Sequence, residues 1–390
     1  MQEIGELAMQ HGWESYIAYS QGRDGIKPCN SQLVPIGNKW SVRWHGIMTR
    51  LFDRHGLASK CATKAFIRQI QEIKPDIIHI HNIHGYFLNY KLLFEYLAAY
   101  GKPVIWTVHD CWLYTGHCYH YAYAGCSRWQ NTCHHCPQQR AFPTSYLMDR
   151  SKENFTDKKR AFTSLPANQF HVITVSDWMR GEMSRSFLKD YPYQVIHNGI
   201  DTELFAPCDP VEIRTRYHIP AGKKIYLGVA SIWSDEKGLA EFKHMATQLA
   251  ENEVIVMVGV SEVIKKQLPD NIIAIARTEN IKQLAALYSA ATAFINPTWQ
   301  DNYPTVNLES IACGTPVVTY RTGGSIESIT PDTGRIVEQG DVEGLLRAAR
   351  AIKELGKQHF SAPCRAYALA HFRKEDRYQE YLELYEKLLK

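Results

Sequence analysis

The stretch "AFINPTWQDNYPTVNLESIACGTPVVTYRTGGSIES" (293–328) alternates between two structural patterns, and this alternation decides the fold. Residues 293–297 are a short apolar run typical of a buried strand. Residues 304–314 have the pattern of a helix that ends at a glycine. A second apolar run, 315–320, follows directly. Strand, helix and strand in this order predict an α/β architecture with a parallel sheet.

Two carboxylates of this stretch, Asp301 and Glu309, enclose seven residues. Asp301 lies in the loop after the strand, where parallel sheets bind their ligands, and Glu309 lies inside the predicted helix. Because a carboxylate can accept hydrogen bonds from two sugar hydroxyls, the spacing favours a site for a ribose and a second polyol. A solvated turn aspartate with a surface glutamate is the alternative that the spacing alone leaves open.

Two further segments have the strand, loop and helix pattern of a phosphate site. Gly323 and Gly324 open a predicted helix after the second strand, and Arg321 precedes them. Backbone N–H groups at such a helix start bind phosphate, and glycines allow its close approach. In 228–242, Lys237 stands at another helix start, where its charge can neutralise a departing diphosphate. Together these segments indicate a nucleoside diphosphate.

Composition places the chain among ordinary globular proteins. Its 390 residues predict two or three domains, and its net charge of +4 is too small to indicate nucleic acid. It is compatible with an anionic small substrate or with contact to an anionic membrane. We find no apolar run of about 18 residues and no apolar signal core. We therefore expect a cytoplasmic protein, peripheral at the inner membrane at most, with its thiols reduced.

Strand-like runs alternate with amphipathic helices in both halves of the chain, which predicts two Rossmann-like doubly wound domains facing a cleft. We expect a first domain over 1–200, a second domain over 201–374, and a helix over 375–390 that crosses back onto the first domain. The turn-rich joint lies at 198–210. Because 2–11 already has a helical pattern, the first domain is expected to lack its opening strand and Gly-rich loop.

The second half resembles the retaining glycosyltransferases of family 4, which have the GT-B fold. Their signature is a Glu, seven residues and a second Glu, followed by A-C-G-T-P-V. This chain has Asp301, seven residues and Glu309, followed by "SIACGTPVV" and "TGGSIE". The segment 277–297 matches as well. The resemblance covers nearly the whole chain and is closest to bacterial enzymes of the colanic-acid and exopolysaccharide type.

The resemblance implies that the domain over 1–200 is the acceptor-side domain and that the domain over 201–374 binds the nucleotide sugar. It also implies a role for each candidate residue of the second domain. Glu309 would hold the nucleotide ribose. Asp301 replaces the first Glu, which faces the donor sugar. Lys237, Arg321 and the amides of Gly323–Gly324 would stabilise the leaving diphosphate.

From the first half, the resemblance implies His109, which ends the strand of "VIWTVHDCW" and would lie near the reacting carbon. Retaining transfer implies a UDP- or GDP-linked hexose as donor and a saccharide or lipid-linked saccharide as acceptor. The leaving phosphate oxygen would take the acceptor's proton. No cofactor or metal is expected for this chemistry, because lysine and helix dipoles neutralise the diphosphate.

A cysteine-rich loop over 111–137 holds Cys118, Cys126, Cys133 and Cys136. The last two form a C-x-x-C pair, which is half of a common zinc knuckle. The pattern favours a structural Zn²⁺, with free thiols or a disulfide as the alternatives. Since four thiolates leave no open position, a catalytic zinc is disfavoured.

Other function classes remain open on the sequence. One is an inactive glycosyltransferase-like binding module, or a nucleic-acid binder built on the cysteine loop. Another is a different GT-B enzyme, such as a sugar-nucleotide epimerase. The carboxylate spacing paired with "ACGTPVV" and "TGG" favours the glycosyltransferase, and the balanced charge disfavours nucleic acid.

Overall fold

Parallel β-strands form three sheets in the computed structural model, which describes residues 1–20 and 28–390. The chain divides into two units. The first comprises Met1–Ile196 together with Tyr378–Lys390, and the second comprises His197–Arg377. Every strand pair with an assigned register is parallel, and the predicted α/β class is confirmed.

The first unit carries two sheets, a two-stranded one of order β1-β2 and a four-stranded one of order β3-β4-β5-β6. Its strands are β1 (Tyr16–Ser20), β2 (Gln32–Ile36), β3 (Ile78–Ile80), β4 (Val104–Val108), β5 (Phe170–Thr174) and β6 (Tyr193–Val195). Its helices are α1 (Gln2–Gln10), α2 (Lys39–Phe52), α3 (Lys60–Ile73), α4 (Tyr90–Tyr100), α5 (Ser151–Phe162) and α6 (Asp177–Met183). Two short 3-10 helices, Cys111–Leu113 and Arg128–Gln130, lie in the cysteine-rich loop.

These two sheets differ from the single sheet that the sequence predicts for the first half. Among the residues that the structure describes, β1 pairs only with β2, and β3 pairs only with β4. A cavity of about 1070 Å³ lies between them and is lined by β1, β3 and α1. Within the described residues, this cavity therefore separates β1 from β3.

The second unit has one six-stranded sheet of order β9-β8-β7-β10-β11-β12. Its strands are β7 (Lys224–Val229), β8 (Glu253–Val258), β9 (Ile272–Ile275), β10 (Ala293–Asn296), β11 (Val317–Tyr320) and β12 (Gly334–Val337). Its helices are α7 (Val211–Arg216), α8 (Leu239–Ala246), α9 (Glu262–Lys265), α10 (Ile281–Ala290), α11 (Thr305–Ala312), α12 (Val342–Leu355) and α13 (Lys357–His371). The strands β8, β10 and β11 are buried at every position, as expected of a parallel sheet covered on both faces.

The last helix, α14 (Lys374–Leu389), begins in the second unit and continues into the first. Its buried residues Tyr381 and Tyr385 join an apolar cluster with α1 and the four-stranded sheet. The Tyr385 hydroxyl lies 2.6 Å from His79 Nδ1, and Thr107 donates to the Tyr381 hydroxyl over 3.2 Å. Within the described part of the chain, every helix is too short or too polar to cross a bilayer.

Candidate active site

The strand order of the second unit places its ligand site. Numbered along the chain, the sheet has the Rossmann order 3-2-1-4-5-6, in which the chain changes direction between β7 and β10. Ligands bind at the carboxyl ends of the two strands at such a switch point. The loop after β7 carries Lys237, and the loop after β10 carries Asp301.

Lys237 and Asp301 form an ion pair at this point. The Lys237 Nζ lies 2.7 Å from Asp301 Oδ2, and their side chains are 39% and 20% exposed. The backbone N–H of Trp299 donates to the Glu236 carbonyl over 2.9 Å, which holds the two loops together. Gly238 has φ +80°, and a Cβ there would lie 2.4 Å from Pro297 Cγ. Two separately predicted residues are thus brought into contact.

Glu309 lies on α11, where a tyrosine orients its carboxylate. Tyr288 of α10 is fully buried and donates its hydroxyl proton to Glu309 Oε2 over 3.0 Å. Burial raises the pKa of Glu309 to about 7, although hydrogen bonds from Tyr288 and Thr305 act in the opposite direction. The carboxylate therefore changes charge near neutral pH. The sequence did not point to Tyr288, because a tyrosine in an amphipathic helix usually indicates core packing.

The two-glycine segment supports the loop that carries Asp301. Gly323 has φ +50°, and a Cβ there would lie 2.1 Å from the Asp301 carbonyl oxygen. The Gly324 N–H donates to that same oxygen over 3.2 Å. The helix that these glycines open is a 3-10 helix, Gly323–Ser328. The structure therefore shows why position 323 is a glycine, and the phosphate contact of both glycines remains a prediction.

Arg321 forms an ion pair of its own, separate from that of Lys237 and Asp301. Its Nε lies 2.7 Å from Glu338 Oε1, and the two side chains are 53% and 72% exposed. A diphosphate contact by Arg321 would require exchange of this exposed ion pair, which costs little because such pairs stabilise a protein only weakly.

In the first unit, His109 follows β4 and pairs with a second histidine. His109 Nε2 lies 3.0 Å from His81 Nδ1, and the two rings stack with centroids 5.3 Å apart. Burial lowers the pKa of His109 to about 4, so its imidazole is neutral at neutral pH. The sequence analysis did not single out His81. The signal that could have found it is the parallel pairing of β3 with β4, because residues that follow neighbouring parallel strands lie at the same edge of the sheet.

The four loop cysteines, Cys118, Cys126, Cys133 and Cys136, are free thiols that line one cavity of about 20 Å³. This is about the space of one water molecule or one ion. The Gly116 N–H donates to Cys133 Sγ over 3.2 Å, as backbone amides do to thiolates, and the thiols of Cys118 and Cys136 are hydrogen-bonded to each other.

The cavity offers sulfur and imidazole nitrogen as donors, because His117 and His134 line it together with the four cysteines. His117 Nδ1 lies 2.7 Å from Asp53 Oδ1, and its buried Nε2 has no hydrogen-bond partner among the described residues. His120 stacks on Trp178. In the described part of the chain no three of the four sulfurs lie within 4.8 Å of one another. Four thiols suit a closed tetrahedral zinc site.

Comparison with family models covers both units. A model described as Glycosyltransferase Family 4 matches residues 4–204, which is more than half of the chain. A model described as Glycosyl transferases group 1 matches residues 223–354.

Two relatives illustrate the sequence similarity. The chain is 22% identical over 402 residues to WcaC of Escherichia coli strain K12, a protein named as a glycosyl transferase of colanic acid biosynthesis. The aligned region covers 99% of this chain and 95% of the relative. The chain is 28% identical over 206 residues to an alpha-maltose-1-phosphate synthase of Mycobacterium tuberculosis, which covers 47% of this chain and 53% of the relative.

Two solved structures illustrate the structural similarity. Sucrose-phosphate synthase of Thermosynechococcus elongatus superposes with a TM-score of 0.73 at 17% identity, over 99% of this chain and 92% of the other. Anabaena HepE in complex with UDP superposes with a TM-score of 0.64 at 14% identity, over 96% of this chain and 100% of the other chain. At these identities the likeness concerns the fold alone.

Proposed function

The chain belongs to glycosyltransferase family 4, and on that premise we propose that it is a retaining hexosyltransferase of cell-surface polysaccharide synthesis. The donor would be a UDP- or GDP-linked sugar, and the acceptor a saccharide or lipid-linked saccharide. The observation that carries the proposal is the Lys237–Asp301 ion pair at the switch point of the sheet, on the strand–helix unit that also carries Glu309. Family membership and the GT-B fold agree with the motif-based predictions.

The nucleotide is assigned to Glu309. Its Oε2 accepts from the Tyr288 hydroxyl. A carboxylate has further acceptor sites, and these would accept from the ribose hydroxyls. Support for a nucleotide donor comes from HepE, whose structures contain UDP and UDP-glucose. This assignment concerns the ribose alone and does not depend on which base or which sugar the donor carries.

The departing diphosphate is assigned to Lys237, with Arg321 and the Gly323–Gly324 amides as further candidates. As the bond between the anomeric carbon and the phosphate oxygen breaks, negative charge grows on that oxygen, and an ammonium placed beforehand stabilises it. Asp301 holds the Lys237 Nζ at 2.7 Å and offers its other oxygen to the donor sugar. Because Lys237 supplies the positive charge, this mechanism requires no metal step.

Retention is proposed to follow from attack on the face that the leaving group vacates. The acceptor hydroxyl oxygen forms the new bond to the anomeric carbon, and its proton passes to the departing phosphate oxygen. His109 is assigned to the reacting region on the strength of the resemblance. With its pKa lowered to about 4 by burial, it would act as a neutral hydrogen-bonding group and not as a cation.

A donor screen tests this function. We expect release of UDP or GDP from one member of a set of UDP- and GDP-hexoses, and a thermal shift with the matching nucleotide. An epimerase would convert the sugar without releasing nucleotide. A nucleotide-dependent thermal shift without turnover of any donor would identify a binding module and contradict the enzymatic proposal.

The acceptor and compartment are proposed from similarity and chemistry. WcaC, which spans nearly the same length, is named for colanic acid biosynthesis, and this supports a cell-surface polysaccharide. A cytoplasmic location suits a chain whose ten cysteines are free thiols in the structure. Peripheral contact with the inner membrane would bring the enzyme to a lipid-linked acceptor.

We infer further that Cys118, Cys126, Cys133 and Cys136 hold a structural Zn²⁺. The loop that carries them has only two 3-residue 3-10 helices, and an ion would order it by joining distant positions. Lys158, buried beneath the loop, donates to the carbonyls of Trp112 and Thr115 over 2.6 and 2.9 Å and gives it a second anchor. The ion takes no part in the transfer step.

Metal analysis by mass spectrometry tests the zinc site. We expect about one zinc per chain. The paired change Cys133→Ser and Cys136→Ser should remove it and lower the melting temperature. Cys208→Ser, at an exposed cysteine of the second unit, is the matched control. A folded wild-type protein without zinc would contradict the assignment.

A further inference from the structure

One helix of the first unit presents apolar side chains to solvent. We define the α2 surface as Trp40, Trp44 and Ile47 of α2 with the neighbouring loop residues 146–148. Trp40 is 74% exposed, Trp44 58% and Leu147 69%. Tryptophan in particular is usually well buried, so two exposed tryptophans on one helix call for an explanation.

The α2 helix leaves several of its apolar residues in solvent. Its apolar residues at 40, 44 and 47 share one face, since positions three and four apart lie together on a helix. The residues that α2 buries are His45, Gly46 and Thr49. Inside the unit, His45 Nδ1 lies 2.7 Å from Ser59 Oγ, and its Nε2 accepts from the Gly56 N–H over 3.1 Å. Polar residues of α2 are thus packed inward together with Val42, which contacts the core, and the tryptophans are left outside.

The helix holds these tryptophans in a fixed arrangement. Asn38 caps its N-terminus by accepting from the backbone N–H groups of Trp40 and Ser41, and the Ser41 hydroxyl accepts from the Asn38 N–H in return. Such a capping box stabilises the first turn. The exposed face is therefore part of an ordered helix and not of a frayed end.

A loop extends the surface beyond the helix. The N–H of Tyr146 donates to the carbonyl of Arg50 over 2.6 Å, which attaches the loop to the last turn of α2. Ser145 donates its hydroxyl to the Met148 carbonyl over 2.6 Å and closes a turn. Tyr146 and Met148 are 50% and 46% exposed on either side of Leu147.

The charged residues of α2 are all basic. Between 39 and 52 the chain carries Lys39, Arg43 and Arg50 and no acidic residue. The Arg43 guanidinium lies 5.2 Å from the Trp40 ring, and that of Arg140 lies 5.3 Å from the Tyr146 ring. Aromatic rings with cations beside them suit the boundary between anionic headgroups and acyl chains. A second copy of the same cationic surface would be repelled.

We propose that the α2 surface docks the protein on an anionic lipid bilayer. Trp40, Trp44 and Leu147 enter the boundary between headgroups and acyl chains, and Arg43 and Arg50 lie at the level of the lipid phosphates. This deepens the proposed function and rests on it for its purpose, because docking would bring the active site to a lipid-linked acceptor. Vesicle binding itself requires neither donor nor turnover.

Vesicle co-sedimentation tests the proposal. The full chain should bind vesicles of phosphatidylcholine with about a quarter phosphatidylglycerol, and bind pure phosphatidylcholine at least about tenfold more weakly. The triple variant Trp40→Ser, Trp44→Ser and Leu147→Ser should lose at least about tenfold in binding to the anionic vesicles.

A matched control replaces three exposed apolar residues elsewhere. Val211→Ser, Val263→Ser and Leu355→Ser change side chains that are 66%, 70% and 55% exposed in the second unit. This variant should bind vesicles like the wild type. Both triple variants should keep the nucleotide-induced thermal shift, which separates a failure of docking from a failure of the proposed function.

Four outcomes of the vesicle experiments would overturn the proposal. These are no binding to anionic vesicles, equal binding to both vesicle types, undiminished binding by the α2 triple variant, and equal loss in the matched control. Concentration-dependent dimerisation that the α2 triple variant abolishes would assign the surface to a second copy and would also overturn it.

Discussion

The loop after β10 and the helix α11 carry the two carboxylates of the candidate site, and they place them in different surroundings. Asp301, in the loop, pairs with the cationic Lys237 over 2.7 Å. Glu309, on the helix, pairs with the neutral Tyr288 hydroxyl over 3.0 Å, and burial raises its pKa to about 7. The same chemical group is thus balanced by a charge in one region and by a phenol in the other.

This difference indicates a division of roles. A carboxylate and an ammonium at the switch point lie where charge moves during transfer, and fixed charges there stabilise a transition state. A carboxylate held by a buried phenol is a hydrogen-bond acceptor whose strength depends on pH. We therefore expect changes at Asp301 to affect turnover and changes at Glu309 to affect nucleotide affinity.

Asp301→Ala should give the largest effect. It removes the partner of Lys237 and the acceptor proposed for the donor sugar, so kcat should fall by about 10²–10³. Initial rates at saturating donor measure this, and nucleotide affinity should change less than about threefold. Asp270→Ala, at an exposed aspartate of the same unit, is the control. Wild-type turnover in Asp301→Ala would remove the loop carboxylate from the mechanism.

Lys237→Met should lower kcat by about 10², since it removes the positive charge assigned to the diphosphate. Because Lys237 and Asp301 are in contact, the double variant should be no more than about threefold slower than the slower single variant. Fully multiplicative losses in this double-mutant cycle would show that the ion pair is not a functional unit.

Glu309→Ala should weaken nucleotide binding by about tenfold or more, because a ribose held by a carboxylate loses a charge-assisted acceptor. Titration calorimetry with the matching nucleoside diphosphate measures this. Glu309→Gln keeps the shape and separates charge from packing. If Glu309→Ala bound nucleotide normally and lost only turnover, the two carboxylates would not have the separate roles proposed for them.

The wild type should bind nucleotide more tightly as pH rises through about 7, because only ionised Glu309 is a full acceptor. Between pH 8 and pH 6 the affinity should fall by up to about tenfold. The contribution of Glu309 to the stability of the folded state changes with pH in the opposite direction. A raised carboxyl pKa stabilises the folded state below pH 4.5, and this contribution is lost as pH rises to about 7. A pH-independent affinity would contradict the raised pKa.

Tyr288→Phe should give the smallest effect, a loss of about two- to fivefold in nucleotide affinity at pH 7. The Tyr288 hydrogen bond lowers the pKa of Glu309, so its removal should move the midpoint of the affinity profile to higher pH. A shift of the midpoint distinguishes orientation of Glu309 from simple loss of packing. An unchanged midpoint would assign Tyr288 to the core alone.

Much of the fold follows from local patterns. Apolar runs of four to six residues mark most of the strands, because parallel strands are buried on both faces. Two strands escaped prediction. The sequence "QLVPI" of β2 contains Pro35, which argues against a strand interior, and three of its five positions are exposed. The four residues of β12 are too few to give a period.

The sequence suggested the residues of the candidate site but not their contacts. Lys237 and Asp301 each follow a strand, but their pairing depends on β7 and β10 being neighbours, which is a property of the whole sheet. The contact of Tyr288 with Glu309 depends likewise on how α10 packs against α11. Local sequence also gave no sign that Gly324 donates to the Asp301 carbonyl, because that contact joins segments on either side of a helix and a strand.

The most direct test of the division of roles is titration of the matching nucleoside diphosphate into the Asp301→Ala and Glu309→Ala variants side by side at pH 8. We expect Glu309→Ala to bind at least about tenfold more weakly than the wild type, while Asp301→Ala stays within about threefold of it. Equal losses in the two variants, or a larger loss in Asp301→Ala, would contradict it.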